Sequence, residues 1–509
     1  MTVTGDAPML LAVDVGTSAL KAVVYTAAGQ TLAVATQRYA YATPQPGWAE
    51  GDPEAWWAAF CAATQALRAQ GLRLDQLTAI AFTGQMHSAV LLDAGHTALS
   101  PTILWLDRRA HVETELLQQR YQLPPYQLNS TYTLPKLLWL RRHRPDVLER
   151  TAAILWPKDY LRFRLSGLLA TDLTECGGAA LLDWPTQTWA LDRLAFVGLD
   201  ASVLPPILPA DAIIASPRPA LAAELGLNPA AGILTGVGDV AALITGAPPR
   251  PGRVVCSLGS SSMVFMALAP GQRAQDRADR LYIYPFLPPY RLAGGVSSTT
   301  GAALSWMHQQ FFGQQSPEVS FTQAAEKALA VEPGAEGLIF LPYLAGERSP
   351  YWSDEIRGGF YGLRLSHEPR HLARAVMEGV AFSLRHLLDI YAEMGLPVTE
   401  LALAGGGANT PGLAQIIADA CGHDAAIYTA EETVTRALYA LCQQALGQEE
   451  MAVALERTFG PPRWVRRRPP LAPAYAAAYA AYRRFSAFAA QEAAPDHVPP
   501  PSPFPEQQK

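Results

Sequence analysis

The most regular pattern along the chain is a pair of apolar runs separated by a short polar turn. Residues 10–13 contain no polar side chain and predict a buried strand, and residues 22–25 predict a second strand. The turn between them contains the polar or small residues Asp14, Gly16, Thr17, Ser18 and Lys21. Glycine permits a sharp turn and a close approach of backbone N–H groups to a ligand, and the two hydroxyls add further donors. The pattern is typical of a phosphate-binding turn, although an ordinary hairpin has the same sequence features.

Asp14 occupies an unusual place for a carboxylate, at the end of a buried apolar run. Such a group is rarely buried without a cation beside it. Mg²⁺ keeps most of its waters and takes few carboxylates, so one aspartate is enough to place it beside a phosphate chain. We therefore predict that Asp14 meets a magnesium ion, with a hairpin-capping aspartate as the alternative.

The same plan recurs about midway along the chain, in residues 254–266. An apolar strand leads into Gly259, Ser260 and Ser261, and a second apolar strand follows. The repeat indicates two related domains whose turns face one polyphosphate, and it favours the phosphate-binding interpretation of the first turn. We predict ATP contacts for the second turn and for Gly16, Thr17, Ser18 and Lys21. Ser257 replaces the aspartate in the second copy, so only the first turn is expected to meet the metal.

Two polar segments that follow apolar runs are candidates for a substrate pocket. The strand predicted over 78–82 ends at Gln85, Met86 and His87, and ligands of α/β sheets bind beyond the carboxyl ends of strands. His87 is open to a second interpretation, a histidine satisfied by nearby backbone. A strand-like run from 103 ends in Trp105 and Asp107, which suit hydrogen bonds to a polyhydroxylated ligand or, alternatively, an ion pair at the strand end.

Two glycine-rich corners complete the candidate chemistry. Asp239 follows Gly236-Val237-Gly238 at a strand-to-helix corner, where a carboxylate can accept a hydroxyl proton in a cleft or, alternatively, cap the helix. Gly405-Gly406-Gly407 follows a strand and precedes Ala408 and Asn409, and three glycines let the backbone lie flat against a planar or phosphorylated ligand. A P-loop motif, G-x-x-x-x-G-K-[ST], occurs nowhere in the sequence.

Length and composition predict a globular protein of at least two domains. The 509 residues are 50% hydrophobic and 17% charged, with a net charge of −6 and no basic stripe of the kind that binds nucleic acid. The five dispersed cysteines lack C-x-x-C spacing, and no run resembles a signal peptide or a bilayer span, so a cytoplasmic protein without membrane contact is expected. We place domains at 1–246 and 247–490, with a disordered Pro-rich tail at 491–509.

Taken together, these motifs resemble the FGGY carbohydrate kinase family, and its xylulokinase branch most closely. They are, in chain order, Asp14-Val15-Gly16-Thr17-Ser18, Gly84-Gln85-Met86-His87, Ile103-Leu104-Trp105-x-Asp107, Pro157-Lys158-Asp159-Tyr160-Leu161-Arg162, Gly238-Asp239, Ser257-Leu258-Gly259, Gly346-Glu347-Arg348 and Gly405-Gly406-Gly407-Ala408. The resemblance implies two ribonuclease H-like domains hinged as in actin, with Mg²⁺, ATP and a sugar in the cleft between them. It also implies that Asp239 is the catalytic base.

The resemblance assigns further roles to residues of the two pockets. Met86 and His87 would touch the sugar, and Gly406, Gly407 and Ala408 would lie beside the nucleotide, with Asn409 included as their neighbour. The family usually has Asn after the catalytic Asp, where this chain has Val240, and its Trp-Asn-Asp and Met-His-Gly become Trp105-Leu106-Asp107 and Met86-His87-Ser88.

The leading expectation is ATP-dependent phosphorylation of a ketopentose, with D-xylulose converted to D-xylulose 5-phosphate. Of the changes at positions 88, 106 and 240, two alter polar groups that could read sugar hydroxyls, so kinases for a deoxy-pentulose, glycerol or gluconate stay as alternatives. A non-catalytic sugar or nucleotide sensor on the same fold is the alternative from another class. A homodimer is one assembly that the resemblance allows.

Overall fold

The computed structural model describes residues 8–245, 247–269, 271–272, 274–286, 290–313, 318–428 and 432–493. The domain boundary predicted at residue 246 falls on a residue outside these ranges. The tail predicted from residue 491 lies outside them from residue 494 onward, and Gln491 and Glu492 are the last residues of a helix.

The N-terminal half is built on one mixed sheet with helices on both faces. Its strands are β1 Met9–Val15, β2 Ala19–Thr26, β3 Thr31–Arg38, β4 Glu50–Gly51, β5 Leu77–Gly84, β6 Val90–Leu92, β7 Thr102–Ile103, β8 Ala153–Leu155, β9 Leu182–Asp183, β10 Thr188–Trp189, β11 Ile213–Ala215, β12 Gly232–Leu234 and β13 Val237–Gly238. Its helices are α1 Pro53–Ala69, α2 His111–Tyr121, α3 Thr133–His143, α4 Pro145–Glu149, α5 Pro157–Ser166, α6 Leu173–Gly178, α7 Leu191–Phe196, α8 Pro219–Leu225 and α9 Asp239–Ile244.

The C-terminal half repeats this plan. Its strands are β14 Arg253–Leu258, β15 Ser262–Leu268, β16 Tyr282–Pro285, β17 Arg291–Ser297, β18 Ile339–Leu341, β19 Gly359–Tyr361, β20 Glu400–Ala404, β21 Ala425–Ile427 and β22 Arg463–Val465. Its helices are α10 Gly301–His308, α11 Phe321–Leu329, α12 Pro369–Glu393, α13 Leu413–Cys421, α14 Thr433–Ala445, α15 Met451–Phe459 and α16 Ala472–Glu492.

The two main sheets share one strand order. In the N-terminal sheet the order is β11-β12-β5-β1-β2-β3. In the C-terminal sheet, listed from the opposite edge, it is β16-β17-β15-β14-β20-β21-β22, so β14-β15-β17 corresponds to β1-β2-β3 and β20 corresponds to β5. Both begin with an antiparallel meander, β1-β2-β3 or β14-β15-β17. In both, the first strand of the meander then pairs in parallel with a later strand, β5 or β20, which pairs in parallel with another. The expected pair of related α/β domains, inferred from the repeated turn, is confirmed.

The N-terminal sheet buries different clusters on its two faces. One face packs on α1, α5 and α8, and the other packs on α9 and on α14, which comes from the C-terminal half. The hydroxyl of Tyr439 on α14 donates to the carbonyl of Ala27 at 2.7 Å, and Tyr25 and Thr435 share a hydrogen bond of 2.7 Å. The C-terminal half therefore covers part of the N-terminal core.

A local sequence signal accounts for the start of α1. Asp52 caps α1 and Pro53 is its first residue, because a proline there loses no helical hydrogen bond. The strand predicted from Ile103 is wrong beyond that residue, since β7 ends there. The N–H of Asp107 donates to the carbonyl of Leu104 at 3.1 Å, and this hydrogen bond closes a turn.

Candidate active site

Three neighbouring strands bring the two predicted acidic residues to one end of the N-terminal sheet. Asp14 on β1 is paired with Thr83 on β5, and Thr83 is paired in turn with Val237 on β13. Gly238 is the last residue of β13, so Asp239 begins α9 directly beyond the sheet. Because these strands run in parallel, their carboxyl ends meet at one edge, where ligands of such sheets bind.

Asp239 is the first residue of α9 and is half-buried. The N-cap position is Gly238, and no side chain bonds to the start of this helix, so the helix-capping alternative does not describe Asp239. Burial and the nearby charge of Asp14 raise the pKa of Asp239 to about 7, although the backbone N–H groups of Val240 and Met86 lower it in part. A carboxylate with this pKa is suited to accept a proton near neutral pH.

Residues of the short helix α6 hydrogen-bond both to the strand before Asp239 and to the cavity residue His87. The N–H of Gly238 donates to Thr174 Oγ1 at 2.9 Å, and His87 Nδ1 donates to the carbonyl of Gly178 at 2.5 Å. The hydroxyl of Tyr284, from the C-terminal half, donates to the carbonyl of Thr174. A Cβ at Gly178 would lie 2.8 Å from the ring of His87, so only glycine fits. Sequence reasoning missed Thr174 because nothing local relates it to a strand 64 residues away.

His87 is held rigidly in a left-handed backbone conformation, with φ of 68°. Its carbonyl accepts from Lys136 Nζ at 3.2 Å and from Thr133 Oγ1 at 3.1 Å, and its ring lies 4.6 Å from that of Tyr132. Burial, together with the positive charges of Lys136 and Arg348, lowers the pKa of His87 to about 3. The imidazole is therefore neutral, with Nδ1 protonated and Nε2 able to accept a hydrogen bond.

A cavity of about 510 Å³ between the two halves contains several of the predicted substrate residues. Met86, His87, Trp105 and Asp239 line it from the N-terminal half, and Ser261 lines it from the second turn. Its remaining walls include Arg108, Gln118, Asn129, Tyr132, Val240, Met263, Tyr282, Glu347, Arg348 and Trp352. The volume suits a small polyol with room for solvent.

Gln85 and Asp107 do not line this cavity. The Asp107 carboxylate forms a buried ion pair with Arg109 at 2.7 Å and accepts from the N–H of Ala49 at 2.6 Å. The ion-pair alternative describes this geometry, and a sugar contact of Asp107 stays a prediction. Gln85 is buried, and its Nε2 donates to the carbonyl of Gly16 at 3.3 Å, so it braces the first turn.

The first turn is charged and tied to the cavity. Trp105 Nε1 donates to Thr17 Oγ1 at 2.9 Å, so a cavity side chain contacts the predicted phosphate-binding turn. Lys21, directly across from Asp14 in the hairpin, forms an ion pair of 3.0 Å with Glu432 from the C-terminal half. Burial raises the pKa of Asp14 to about 6; Lys21 lowers it and Glu432 raises it. The exposed Ser18 adds a hydroxyl to this turn.

The second turn is neutral and braced by backbone. The carbonyl of Gly259 accepts from the N–H of Gly301 at 2.9 Å, and the carbonyl of Ser260 accepts from the N–H of Thr300 at 2.9 Å. Both carbonyls therefore bond to the start of α10, while the side chains of the turn stay exposed or half-buried.

The glycine-rich loop after β20 lies beside the second turn. Ser257 on β14 is paired with Ala404 on β20, so the loop begins at the same sheet end. Gly405 has φ of +82°, and a Cβ there would lie 2.9 Å from the carbonyl oxygen of Leu258. The predicted nucleotide residues Gly406, Gly407, Ala408 and Asn409 form a short 3₁₀ helix next in the chain.

Two charged residues of the cavity come from a loop that sequence reasoning quoted only for its resemblance. Glu347 is buried and accepts from the N–H of Ser298 at 2.6 Å, and burial raises its pKa to about 7. Arg348 is half-buried and forms no ion pair with any described residue. The signal that could have found Arg348 is a pair of adjacent charged residues, Glu347 and Arg348, in the loop that follows the apolar strand β18.

The residues around Asp14 fit a magnesium ion. One carboxylate with neighbouring hydroxyls, those of Thr17 and Ser18, matches the preference of Mg²⁺ for oxygen ligands and for few protein carboxylates. Over the described ranges no three histidine, cysteine or acidic side chains cluster as an all-protein metal site would require.

Comparison with known proteins agrees with this geometry. The sequence matches the N-terminal domain of the FGGY family of carbohydrate kinases over residues 9–246 and the C-terminal domain of that family over residues 254–439. The chain is 32% identical to the xylulose kinase of Escherichia coli (strain K12) over 419 residues, which are 81% of this chain and 85% of that protein.

Solved structures give the same result. A structure described as a xyloylose kinase from Brucella ovis has a TM-score of 0.86 and 30% identity, and the match covers 95% of this chain and 100% of that one. The gluconate kinase from Lactobacillus acidophilus has a TM-score of 0.89 and 25% identity, covering 96% and 99%.

The fold and the site define a two-domain α/β kinase with a cavity between the domains. The chain belongs to the FGGY family of carbohydrate kinases, as the sequence motifs indicated. Among the described helices, none has the length and apolar character that crossing a bilayer requires.

Proposed function

We propose that the protein transfers the γ-phosphoryl group of ATP to a primary hydroxyl of a ketopentose, with D-xylulose as the leading substrate. The observation that carries this proposal is the position of Asp239, which lines the interdomain cavity at the sheet end where Asp14 also lies. The similarity to xylulose kinases supports the choice of sugar.

Asp239 acts as the base in this proposal. Its carboxylate accepts the proton of the sugar hydroxyl as the oxygen attacks phosphorus. The raised pKa of Asp239 makes that transfer favourable near pH 7, and the neighbouring helix start at α9 fixes the carboxylate in place. His87 and Met86 position the rest of the sugar, with His87 Nε2 accepting from a sugar hydroxyl.

The two turns bind the triphosphate of ATP. Gly16, Thr17 and Ser18 face it from one side, with the two hydroxyls as donors and the Lys21 ammonium beside them, and the Gly259–Ser261 turn faces it from the other. Gly406 to Asn409 lie along the nucleoside. Asp14 and the two hydroxyls of the first turn would hold Mg²⁺, which neutralises charge on the transferring phosphoryl group when bound. The reaction is expected in the cytoplasm, where all five cysteines, which are unpaired, stay reduced.

Release of ADP across a panel of sugars tests the proposal. D-Xylulose, D-ribulose, glycerol and gluconate are compared, and D-xylulose is expected to give the highest kcat/KM. Asp239→Asn is expected to lower kcat by at least about 10³-fold while the affinity for ATP changes little, because only proton acceptance is lost. Full activity of that variant would remove Asp239 from the role of base.

Gluconate is a second candidate because two arginines line the cavity without an ion-pair partner among the described residues. Arg348 and Arg108 both line it, and neither forms an ion pair with a described residue. A guanidinium binds a carboxylate well, so an aldonic acid fits this end of the cavity. Higher kcat/KM for gluconate than for D-xylulose in the same panel would favour it, whereas sugar binding without ADP release would favour the sensor alternative.

A further inference from the structure

The backbone directly before the proposed base is held by a side chain from another part of the chain. The N–H of Gly238 donates to Thr174 Oγ1 at 2.9 Å, and both residues are buried. Gly238 is the N-cap of α9, and Asp239 is the first residue of that helix. The hydrogen bond to Thr174 therefore fixes the point from which the Asp239 carboxylate extends into the cavity.

Packing around Gly238 reinforces this hydrogen bond. A Cβ on Gly238 would lie 2.8 Å from Cγ of Met86 and 3.2 Å from Oγ1 of Thr174. These two side chains therefore enclose the backbone of Gly238, which is also paired with Gly84 on β5. The strand end before Asp239 thus has little room to move as long as Met86 and Thr174 stay in place.

The hydroxyl of Thr174 is itself oriented by a buried ion pair. It donates to Asp172 Oδ2 at 2.6 Å, and the N–H of Thr174 donates to the same oxygen at 2.8 Å. The other oxygen of that carboxylate lies 2.9 Å from Nζ of the buried Lys158 on α5. A hydroxyl has one hydrogen, so the Thr174 oxygen whose hydrogen is bound to Asp172 can only accept from Gly238.

Tyr284, from the C-terminal half, contacts the same threonine. Its hydroxyl donates to the carbonyl of Thr174, and its ring covers Gly177, where an added Cβ would lie 3.0 Å from the ring. The ring of Tyr284 also lines the cavity. Thr174 is thus bonded to the strand before the base through its side chain and to the C-terminal half through its carbonyl.

We propose that Thr174 is a positioning residue for Asp239, and that Tyr284 acts on the base through Thr174. Neither residue exchanges a proton with the sugar: Thr174 holds Gly238, and Gly238 fixes the start of the helix that bears the base. This inference rests on the proposed kinase function and deepens it, because it states how groups from both halves place the proposed base.

The test compares two substitutions of Thr174 in an ADP-release assay with the sugar that gives the highest kcat/KM. Thr174→Val keeps the branched shape and removes the acceptor of the Gly238 N–H. It is expected to lower kcat about 10- to 100-fold, because a small displacement of a reacting group has an effect of this size, while KM for ATP changes less than about 2-fold. Thr174→Ser keeps the hydroxyl and is expected to retain kcat within about 3-fold.

A matched control separates positioning from stability. The buried hydroxyl of Thr171 donates to Asp159 Oδ2 at 2.7 Å, and the other oxygen of Asp159 lies 2.6 Å from Nζ of Lys158. Thr171→Val removes a buried hydrogen bond of the same kind, so the melting temperature is expected to fall as in Thr174→Val, with kcat within about 2-fold of wild type. Equal losses of kcat in the two valine variants would show a structural role alone and overturn the proposal.

A double-mutant cycle tests the part of Tyr284. Tyr284→Phe keeps the ring over Gly177 and removes the hydroxyl, so kcat is expected to fall about 3- to 10-fold in the wild-type protein and less than about 2-fold in Thr174→Val. Losses that multiply would show that Tyr284 acts independently of Thr174 and overturn the proposal. A change confined to KM for the sugar would do the same, since it would leave Tyr284 as a cavity ring only.

The outcomes distinguish this inference from the function beneath it. Wild-type kcat in Thr174→Val overturns the inference and leaves the kinase function standing. Absence of ADP release by the wild-type protein with every sugar contradicts the proposed kinase function instead. If the melting curve shows that Thr174→Val does not fold, Thr174→Cys takes its place, because a thiol is only a weak acceptor and the same loss of kcat is expected.

Discussion

The two turns proposed to face the phosphates have the same backbone plan but differ in charge. The first, after β1, has Asp14 at the strand end, an ion pair between Lys21 and Glu432, and a hydrogen bond from the cavity residue Trp105. The second, after β14, has the uncharged Ser257 at the position of Asp14.

This difference gives the two copies of the hairpin different charges on the same backbone plan. The repeated strand order fixes the position of both turns, while single side chains decide which of them is charged. The carbonyls of the second turn bond to the start of α10, so that turn is rigid and neutral. We expect Mg²⁺ binding and phosphoryl transfer to depend on the charged groups of the first turn. We expect the second turn to contribute a rigid backbone and neutral hydrogen-bond donors.

The largest effect is expected from removing the acid that distinguishes the first turn. Asp14→Asn should lower kcat by about 10²–10³-fold and raise the Mg²⁺ concentration needed for half-maximal rate, because a charged oxygen ligand is lost. Ser257→Ala, the change at the matching position, should lower kcat less than about 5-fold, which is the range of a single neutral hydrogen bond. Steady-state kinetics over a magnesium titration measures both.

Equal losses in the two variants would contradict the asymmetry. A small loss in Asp14→Asn with unchanged magnesium dependence would show that Asp14 does not meet the metal.

The glycine-rich loop beside the second turn offers a matched pair of substitutions. Gly405→Ala should lower the free energy of unfolding by about 1–3 kcal/mol, because φ is +82° and the added Cβ would meet the carbonyl of Leu258. Gly406→Ala meets no atom within 4 Å, so its stability should equal that of wild type. Denaturation curves measure these values. If the backbone of Gly406 contacts the nucleotide, this second variant also raises KM for ATP about 3–10-fold.

A stable Gly405→Ala variant would show that the loop can move away from Leu258. An unchanged KM for ATP in Gly406→Ala would place the nucleotide elsewhere.

A shift in the pH dependence should link the first turn to the proposed base. Because Asp239 must be deprotonated to accept a proton and its pKa is about 7, kcat/KM should fall as pH drops below about 7. The charge of Asp14 contributes to that raised pKa, so Asp14→Asn should move the acid limb of its residual activity to lower pH. The measurement is kcat/KM from pH 5 to 9; an acid limb that stays in place would argue against coupling between the two carboxyl groups.

The smallest effect is expected from removing the hydrogen bond between Trp105, which lines the cavity, and the first turn. Trp105→Phe keeps an aromatic ring but loses the hydrogen bond from Nε1 to Thr17, so KM for both sugar and ATP should rise about 2–5-fold. Trp57→Phe, at a half-buried position on α1, is the control and should leave both constants unchanged. If only the KM for sugar changes, the hydrogen bond does not order the turn.

Local sequence was enough for much of the fold. Apolar runs and turns predicted the strands of both hairpins, because strand patterns depend on neighbours in the chain. The position of Asp239 beyond a strand was also visible, but whether it capped the helix was not. That alternative was settled by the backbone geometry, in which Gly238 occupies the N-cap.

The sequence by itself determined the repeated turns, the acid that only one of them has, and the family. The tertiary structure alone decided that the carboxylate of Asp107 pairs with Arg109, that Arg348 lines the same cavity as His87, and that Glu432 pairs with Lys21. The physical reason is the distance along the chain: propensity and periodicity act over a few residues, whereas Lys21 and Glu432 are 411 residues apart and meet only because α14 packs on the N-terminal sheet.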